Sequence, residues 1–277
     1  MLNAINKTLI ASVVAAACSL AACSDKELDG AMALYQAAET GIGEARYSVA
    51  LASLDNINAR YPEQTQVRRD ALRLRALAIQ GLALDSISAG SEALAAATID
   101  REARDPEFRH VDSSVGLEGY FLPKGVDEKV MMGTCIQPRV SDKGFFYIVA
   151  NVQGRSIGLR AIEFVDGAES ASSADISPAR IIRVEGSESA SFNPEELEGI
   201  GEWLLAHPGA SKIVLKGSKS NASVKLDPKM RSQLVKCYEY SRALQAQRLA
   251  SLKREKYERM LATARDQLAN LPAPEQK

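Results

Sequence analysis

Three carboxylates at the start of a predicted helix are the first residues in this sequence that could do chemistry. They are Glu195, Glu196 and Glu198, and they follow Asn193 and Pro194. A pair of carboxylates is what a glycoside hydrolase uses, one as acid and the other as base or nucleophile. The same residues are also typical of a helix start, because asparagine caps the helix and acidic residues stabilise the positive end of its dipole. We favour the second interpretation.

A histidine beside an aspartate is the second candidate for catalysis. His110 could act as a base that Asp112 orients, but two polar residues in a loop are more often exposed to solvent. The sequence contains no Gly-x-Ser-x-Gly nucleophile elbow, no phosphate-binding glycine loop and no His-Glu-x-x-His motif. We therefore predict no catalytic residue, no cofactor and no enzymatic activity.

Cysteine and histidine are too sparse for a metal site. The chain has four cysteines and two histidines without a cluster at ligand spacing, so we predict no metal. Cys135 and Cys237 are the two cysteines beyond the N-terminal segment. An oxidising compartment allows them to form a disulfide, and the alternative is two buried free thiols.

Aromatic and basic residues are the candidates for a binding surface. Exposed rings around Tyr120 and Phe146 would favour glycan binding, whereas alternation of these rings into a core would oppose it. Trp203 is a core residue or, if exposed, a recognition residue. Arg248 and Arg254 belong to a basic run that fits anionic lipid headgroups or a phosphorylated glycan, or a plain solvated face. The full sets are Tyr120, Phe121, Phe145, Phe146 and Tyr147, and Arg248, Lys253, Arg254, Lys256 and Arg259.

The N-terminal segment has the composition of a targeting signal. Lys7 precedes a mostly apolar run from Thr8 to Ala17, and Leu20-Ala21-Ala22-Cys23 follows. A positive start, a short apolar centre and small residues at a processing site are typical of a signal peptide. The run is shorter than the ~20 apolar residues that a membrane-spanning helix needs.

Leu20-Ala21-Ala22-Cys23 resembles the lipobox of bacterial lipoproteins. The resemblance implies a signal peptide over residues 1–22, cleavage between Ala22 and Cys23, and a lipid on Cys23 with palmitate among its chains. Cys18 fits less well, because no leucine stands three residues before it. Ser24, the second mature residue, resembles lipoproteins that reach the outer membrane. We therefore expect a lipid-anchored protein of the Gram-negative outer membrane, on its periplasmic or surface face.

Residues 28–104, which follow a short tether over 23–27, have a helical pattern of apolar residues three and four positions apart. We predict helices over Leu28–Thr40, Ala45–Tyr61 and Thr65–Arg104, with Gly90 as a point where the third could be disturbed. Pro62 ends the second helix, because proline cannot continue one.

The first two predicted helices resemble a tetratricopeptide-type unit. The resemblance lies in 33–38, in Ala45-Arg46-Tyr47 and in the closing Tyr61-Pro62. It implies a helical hairpin. The sequence has no second clear copy, and solenoids need about three units, so we expect one hairpin docked on another helix.

Residues 105–226 are predicted to form a β-rich domain with one short helix over 194–207. Glycine-containing turns separate short runs of β-branched and aromatic residues, a pattern typical of a small antiparallel β-sandwich or half-open barrel. The predicted strands are Gly119–Leu122, Met132–Val140, Phe145–Val152, Ser156–Phe164, Arg180–Val184, Ser189–Phe192, Lys212–Lys216 and Ala222–Leu226.

Residues 227–271 are predicted to form one long helix that begins at Asp227-Pro228. Its later apolar residues step by four and three, as in a coiled-coil seam. We expect this helix to pair antiparallel with the third helix as a stalk, and residues 272–277 to form a disordered tail. The predicted fold class is therefore α+β.

Two further resemblances bear on function. Phe192–Asn221 faintly resembles peptidoglycan-binding domains of outer-membrane proteins, but the histidine and aspartate of their Gly-His-Thr-Asp loop are absent from Gly217-Ser218-Lys219-Ser220-Asn221. Most of the mature chain resembles uncharacterised lipoproteins of Bacteroidetes-type bacteria, through Gly119-Tyr120, Phe145-Phe146-Tyr147 and Tyr238-Glu239-Tyr240 among others. That resemblance implies an architecture and a compartment but no activity.

These observations predict a non-catalytic adaptor or scaffold of the envelope that contacts another envelope protein. The alternative is a module that binds peptidoglycan or another glycan. The 277-residue chain has a formal net charge of −1, which gives no indication of a nucleic-acid partner.

Overall fold

The computed structural model describes residues 26–112, 118–126 and 133–272. Ala22 and Cys23 lie outside these ranges, and so do residues 273–277 and Met132, the first residue of a predicted strand. The signal peptide, the lipid site and the disordered tail therefore stay predictions.

The described residues form five α-helices. Residues 26–43 form α1; the others are α2 (Tyr47–Arg60), α3 (Thr65–Arg104), α4 (Ile200–Ala206) and α5 (Pro228–Asn270). The predicted cap of the last helix is confirmed, because the carboxylate of Asp227 accepts a hydrogen bond from the Met230 amide at 2.8 Å. Short 3₁₀ helices cover Asp105–Glu107 and Pro178–Arg180.

The short helix begins later than predicted. Residues 194–199 form turns, and α4 starts only at Ile200. Gly199 has a φ of 75°, a left-handed conformation that interrupts an α-helix and that glycine adopts without strain. The three glutamates therefore precede the helix and do not lie in its first turn.

The described chain divides into two compact units whose boundaries differ from the predicted domains. The helical unit comprises residues 26–92 and 251–272, and the β unit comprises the described residues between 93 and 250. Each long helix contributes to both units, whereas each was predicted to belong to a separate domain.

Small residues dominate the core of the helical unit. Its buried cluster is Ala31, Ala38, Ala50, Leu54, Ile57, Val67, Ala71 and Ala78. Gly81 leaves room for the ring of Tyr47, and Gly30 leaves room for the ring of Tyr61. The predicted disturbance at Gly90 is absent, because α3 continues through this residue and Gly90 is buried beside Arg254.

In the described part of the β unit, ten strands form two antiparallel sheets. The six-stranded sheet has the order β1-β2-β3-β4-β8-β7, and the four-stranded sheet has the order β10-β9-β5-β6. The strands are β1 (Phe108–Val111), β2 (Tyr120–Pro123), β3 (Cys135–Ser141), β4 (Phe146–Val152), β5 (Leu159–Asp166), β6 (Glu169–Ser172), β7 (Ile182–Val184), β8 (Ser187–Phe192), β9 (Lys212–Gly217) and β10 (Ala222–Lys225).

The fold is therefore α+β, as predicted, and the described strands form no closed barrel. The strands β1 and β6, which are edge strands of four residues each, were not predicted from the sequence. Only two residues of β1 are buried and none of β6 is, so neither strand has a long alternating apolar pattern.

One hydrophobic cluster joins both sheets and the first half of α5. Ile148 and Phe192 of the six-stranded sheet belong to it, together with Ile162 and Phe164 of the four-stranded sheet. Tyr240 of α5 stacks on Phe108 with ring centroids 4.2 Å apart. The predicted antiparallel pairing of the long helices is present within this unit, where Arg104 and Glu239 form an ion pair at 3.0 Å and Thr98 contacts Gln247.

Candidate functional site

An open cleft of about 520 Å³ lies at one end of the six-stranded sheet in the β unit. Its walls come from the segment before β2, the β3–β4 hairpin and the turn after β8. Its lining combines aromatic, hydroxyl, amide and carboxylate groups, a composition suited to small-molecule ligands. The lining residues are Glu118, Gly119, Ser141, Lys143, Phe145, Tyr147, Ser191, Asn193, Pro194 and Glu195.

Phe145 is the most exposed aromatic ring of the cleft, and the backbone on both sides of it is fixed. Its side chain is 42% exposed, whereas Phe146 is 6% exposed and belongs to the core. The buried hydroxyl of Ser241 accepts a hydrogen bond from the Phe146 amide at 3.0 Å and donates one to the Gly144 carbonyl at 2.6 Å. The hairpin therefore holds the ring of Phe145 in a fixed position that is accessible to solvent.

Gly144 is required for this arrangement. Its φ is 81°, and a Cβ at this position would lie 2.8 Å from the Cβ of Leu244. The hairpin therefore packs directly on α5. Gln245 also donates a hydrogen bond from its side chain to the Lys143 carbonyl at 2.6 Å, which fixes the turn before Phe145.

An ion pair joins the segment before β2 to the β3–β4 hairpin. Glu118 accepts hydrogen bonds from the amide and from the Nζ of Lys143, both at 3.0 Å. Tyr147 lies deeper, and desolvation by burial raises the pKa of its hydroxyl although Arg139 beside it acts in the opposite direction. The hydroxyl therefore stays protonated and can donate a hydrogen bond at neutral pH.

The candidate hydrolase carboxylates do not converge. Glu195 lines the cleft, whereas Glu196 forms an ion pair with Arg180 at 2.5 Å and accepts a hydrogen bond from the Asn193 amide at 2.8 Å. Desolvation opposes ionisation of Glu196, but these two hydrogen bonds outweigh it and lower its pKa. A general acid needs a raised pKa, so this arrangement favours a structural role for Glu196.

His110 is held by two carboxylates. Its Nδ1 lies 3.1 Å from Asp112, and its Nε2 lies 2.7 Å from Asp142. Both ring nitrogens therefore have carboxylate partners. Gly119 packs against the His110 ring and Asp142 so closely that a Cβ would clash.

The three predicted aromatic binding residues have different surroundings. Tyr120 is half-buried with the Arg139 guanidinium 4.1 Å from its ring centroid. Phe146 is buried, so its assignment to a binding surface was wrong, because strand alternation turns it inward and turns Phe145 outward. Trp203 is partly buried against the core and stacks on His207 at 4.2 Å.

The two predicted basic binding residues also differ. Arg248 is exposed in the β unit. Arg254 belongs to the helical unit, where it is partly buried and forms an ion pair with Glu258 at 3.2 Å. The basic run therefore does not form one uniform surface.

A groove between α3 and α5 in the helical unit is a concavity that the sequence did not reveal. It has two adjoining parts of about 370 and 510 Å³, which share Ile79, Thr263 and Gln267. Leu72 is 50% exposed on its rim. The full lining is Leu72, Arg75, Ile79, Lys256, Arg259, Met260, Thr263, Ala264, Asp266, Gln267, Asn270 and Leu271.

The predicted alternative of a disulfide is not present, because Cys135 and Cys237 are both free thiols. Cys135 lies at the start of β3, and Cys237 lies on the face of α5 that is buried in the core. Desolvation by burial raises the pKa of both thiols, and that of Cys237 strongly. Within the described ranges, no group of three or more His, Cys, Asp or Glu residues could hold a metal ion.

None of the helices in the described part of the chain has both the length and the apolar composition needed to cross a membrane. No protein-family model matches the chain, and neither the curated proteins nor the solved structures contain a significant match to it.

Proposed function

We propose that the protein is a non-catalytic lipoprotein of the Gram-negative envelope, anchored to the outer membrane through Cys23 and acting as an adaptor or scaffold. The observation that carries this proposal is the groove between α3 and α5. Leu72 on its rim is half exposed, and Ile79 and Met260 extend the apolar surface inward. Apolar grooves between two helices accept an amphipathic helix of a partner.

The charge of the groove indicates which helix would fit. Lys256 and Arg259 line one end, and neither forms an ion pair within the described ranges, whereas Arg75 is paired with Asp55 at 2.5 Å. A partner helix with apolar residues three and four positions apart and acidic residues at one end would complement this surface. The expected occupant of the groove is such an acidic amphipathic helix from another envelope protein.

Site-specific photocrosslinking in intact cells tests the adaptor proposal. A benzoylphenylalanine at Leu72 would lie on the groove rim, and the same residue at Val49 is the control, since Val49 is 52% exposed in the helical unit but does not line the groove. We expect one dominant adduct from Leu72 and none from Val49. Lys256→Glu with Arg259→Glu should abolish the adduct.

The crosslinked peptide decides whether the proposed partner is right. Mass spectrometry should place the adduct in an acidic amphipathic segment of one envelope protein. Equal adducts from both positions, or recovery of cell-wall fragments without a protein, would reject the adaptor proposal.

The anchor has a separate test, which does not depend on the partner. Cys23→Ala should release the protein from the membrane fraction and block normal processing. If the variant stays membrane-bound and is processed normally, the lipid assignment is wrong.

A second candidate function is glycan binding by the β unit. The observation that favours it is the exposed ring of Phe145 in the cleft, next to the half-buried ring of Tyr147. The other aromatic residues first considered for such a cleft oppose it in part, because Phe146 and Phe121 pack on the core.

A further inference from the structure

The cleft of the β unit offers one flat apolar surface with polar groups around it. Phe145 provides the exposed ring, and Pro194 and Tyr147 extend the apolar part of the lining. A pyranose ring has the complementary construction, with an apolar face of C–H groups and hydroxyls at its edge. Aromatic rings attract such faces by burial of apolar area and by their negative π surface.

The polar lining of the cleft suits hydroxyl donors. Glu195 and Asn193 contribute a carboxylate and an amide, and Ser191 contributes a hydroxyl. Charge-assisted hydrogen bonds from sugar hydroxyls to a carboxylate are stronger than those between neutral groups. Acceptor side chains therefore line the same cleft as the apolar ring, as binding of a pyranose edge requires.

Charge excludes one class of polysaccharide. Lys143 is the one cation among the described residues that line the cleft, and the Glu118 carboxylate neutralises it at 3.0 Å. Arg180 pairs with Glu196, and Glu195 has no ion pair within the described ranges. The remaining charge of the cleft is therefore negative, which disfavours phosphorylated or carboxylated glycans.

The cleft is rigid before any ligand arrives. Ser241 fixes the backbone on both sides of Phe145, and Gln245 fixes the Lys143 carbonyl before it. The opposite turn is fixed by Glu196, which binds the Asn193 amide and Arg180. A preformed site loses less conformational entropy when it binds.

We propose that this cleft binds a neutral polysaccharide chain, with a pyranose ring stacked on Phe145 and its hydroxyls donating to Glu195 and Asn193. The proposal rests on glycan binding as the second candidate function and is independent of the helix groove. Two sources share this chemistry, the glycan strands of peptidoglycan and a neutral surface polysaccharide.

A binding assay with the detergent-solubilised full chain tests this site. The probes are soluble N-acetylglucosamine oligomers, peptidoglycan with its stem peptides attached so that the lactyl carboxyl groups of its strands stay blocked as amides, insoluble neutral glucan and heparin as the polyanion. Binding to the first two would identify peptidoglycan strands as the source, and binding to the glucan would identify a surface polysaccharide. We expect no binding to heparin.

Variants of Phe145 and Glu195 test whether the glycan binds in the cleft. Phe145→Ala should weaken binding at least tenfold, Phe145→Trp should retain it, and Glu195→Gln should weaken it several-fold. Leu249→Ala is the matched control, because Leu249 is an apolar residue of the same unit that is 69% exposed and does not line the cleft. Circular dichroism verifies that each variant folds.

Three results would overturn the proposal: binding to none of the neutral probes, equal binding by Phe145→Ala and the unaltered chain, or binding to heparin as tight as to a neutral glycan. The crosslink from Leu72 tests the helical unit, and it uses a different assay from the glycan-binding measurement. Rejection of glycan binding by the cleft therefore does not affect the adaptor proposal, and rejection of the adaptor proposal does not affect glycan binding.

Discussion

The cores of the two units of this protein differ in the size of their side chains. Five of the eight buried residues in the helical cluster are alanines. The cluster of the β unit is built mostly from isoleucine, leucine and phenylalanine, and its fully buried side chains include Phe164, Phe192 and Tyr240. Alanines let helices approach closely, whereas large side chains fill the space between two sheets.

This difference predicts opposite sensitivities. The β unit should be damaged by loss of volume, because each large side chain that is removed leaves a cavity. The helical unit has little volume to lose, and it should be damaged by added atoms where helices already touch. The sole tryptophan of the chain, Trp203, lies in the β unit and gives that unit its own fluorescence signal.

The largest effect should come from truncating Phe164. This side chain is fully buried in the β core, and Phe→Ala changes in cores cost about 3–5 kcal/mol of unfolding free energy. Urea unfolding followed by Trp203 fluorescence measures the loss. Phe145→Ala is the control, since its ring is 42% exposed, and it should cost less than about 1 kcal/mol. Equal losses for the two variants would contradict the assignment of Phe145 to the surface.

A buried carboxylate should give the second largest effect. Glu188 has no exposed surface. It accepts hydrogen bonds from the Ser156 hydroxyl at 2.5 Å and from the Ile157 and Leu159 amides at 3.1 and 3.0 Å. It thereby fixes the connection between β4 and β5, and Glu188→Gln should cost about 2–3 kcal/mol.

The stabilisation by Glu188 should depend on pH in one direction. Desolvation opposes its ionisation, but the hydrogen bonds from Ser156, Leu159 and Arg183 outweigh desolvation and lower its pKa. Its contribution is therefore complete above the unfolded-chain pKa of about 4.3 and is lost as the pH falls through the lower folded pKa. Unfolding free energies of both proteins should converge in acid. A constant difference would show that the carboxylate acts by shape alone.

Two glycines of α3 provide the matched test in the helical unit. A Cβ on Gly81 would overlap the ring of Tyr47, whereas a Cβ on Gly90 would meet Arg254 at an ordinary 3.7 Å. Alanine is a better helix former than glycine by about 1 kcal/mol. Gly90→Ala should therefore stabilise by about 0.5–1 kcal/mol, and Gly81→Ala should destabilise by about 1–2 kcal/mol. Thermal unfolding followed by circular dichroism at the helical band compares them, and stabilisation by both would reject close packing at Gly81.

The sequence predicted the long elements because their patterns are long. The forty residues of α3 and the start of α5 at Asp227-Pro228 follow from helical spacing and capping residues. The late start of α4 depends on the left-handed conformation of Gly199, and β1 and β6 depend on pairing with neighbours. Such local choices are decided by tertiary contacts, which a single sequence does not contain.

The candidate site was predicted only in part. The sequence identified the aromatic run Phe145-Phe146-Tyr147 but assigned the binding role to Phe146. Alternation alone cannot say which ring faces outward; the contact of Ser241 with the residues on both sides of Phe145 decides it, from about 95 positions away. The spacing of apolar residues predicted the pairing of α3 and α5 but not the groove, because the shape between two helices depends on how their side chains pack.

The smallest effect should come from His207, which joins α4 to β6. Its Nδ1 donates to the Trp203 carbonyl at 2.9 Å, and its Nε2 lies 2.7 Å from Glu169. These two hydrogen bonds raise its pKa despite some desolvation. Its contribution to stability is therefore complete below the unfolded-chain pKa of about 6.5 and is lost as the pH rises through the higher folded pKa.

Trp203 reports this titration directly, because its ring stacks on His207 at 4.2 Å and 12°. A protonated imidazole quenches indole fluorescence more strongly than a neutral one. Emission should therefore rise with pH, with a midpoint above that of free histidine, and His207→Gln should abolish the rise. Glu169→Gln is the matched variant, because it keeps the ring stack but removes the carboxylate, and it should shift the midpoint downward. An unchanged midpoint in Glu169→Gln would mean that the Trp203 carbonyl alone holds the proton, which would leave β6 free of α4 at this contact.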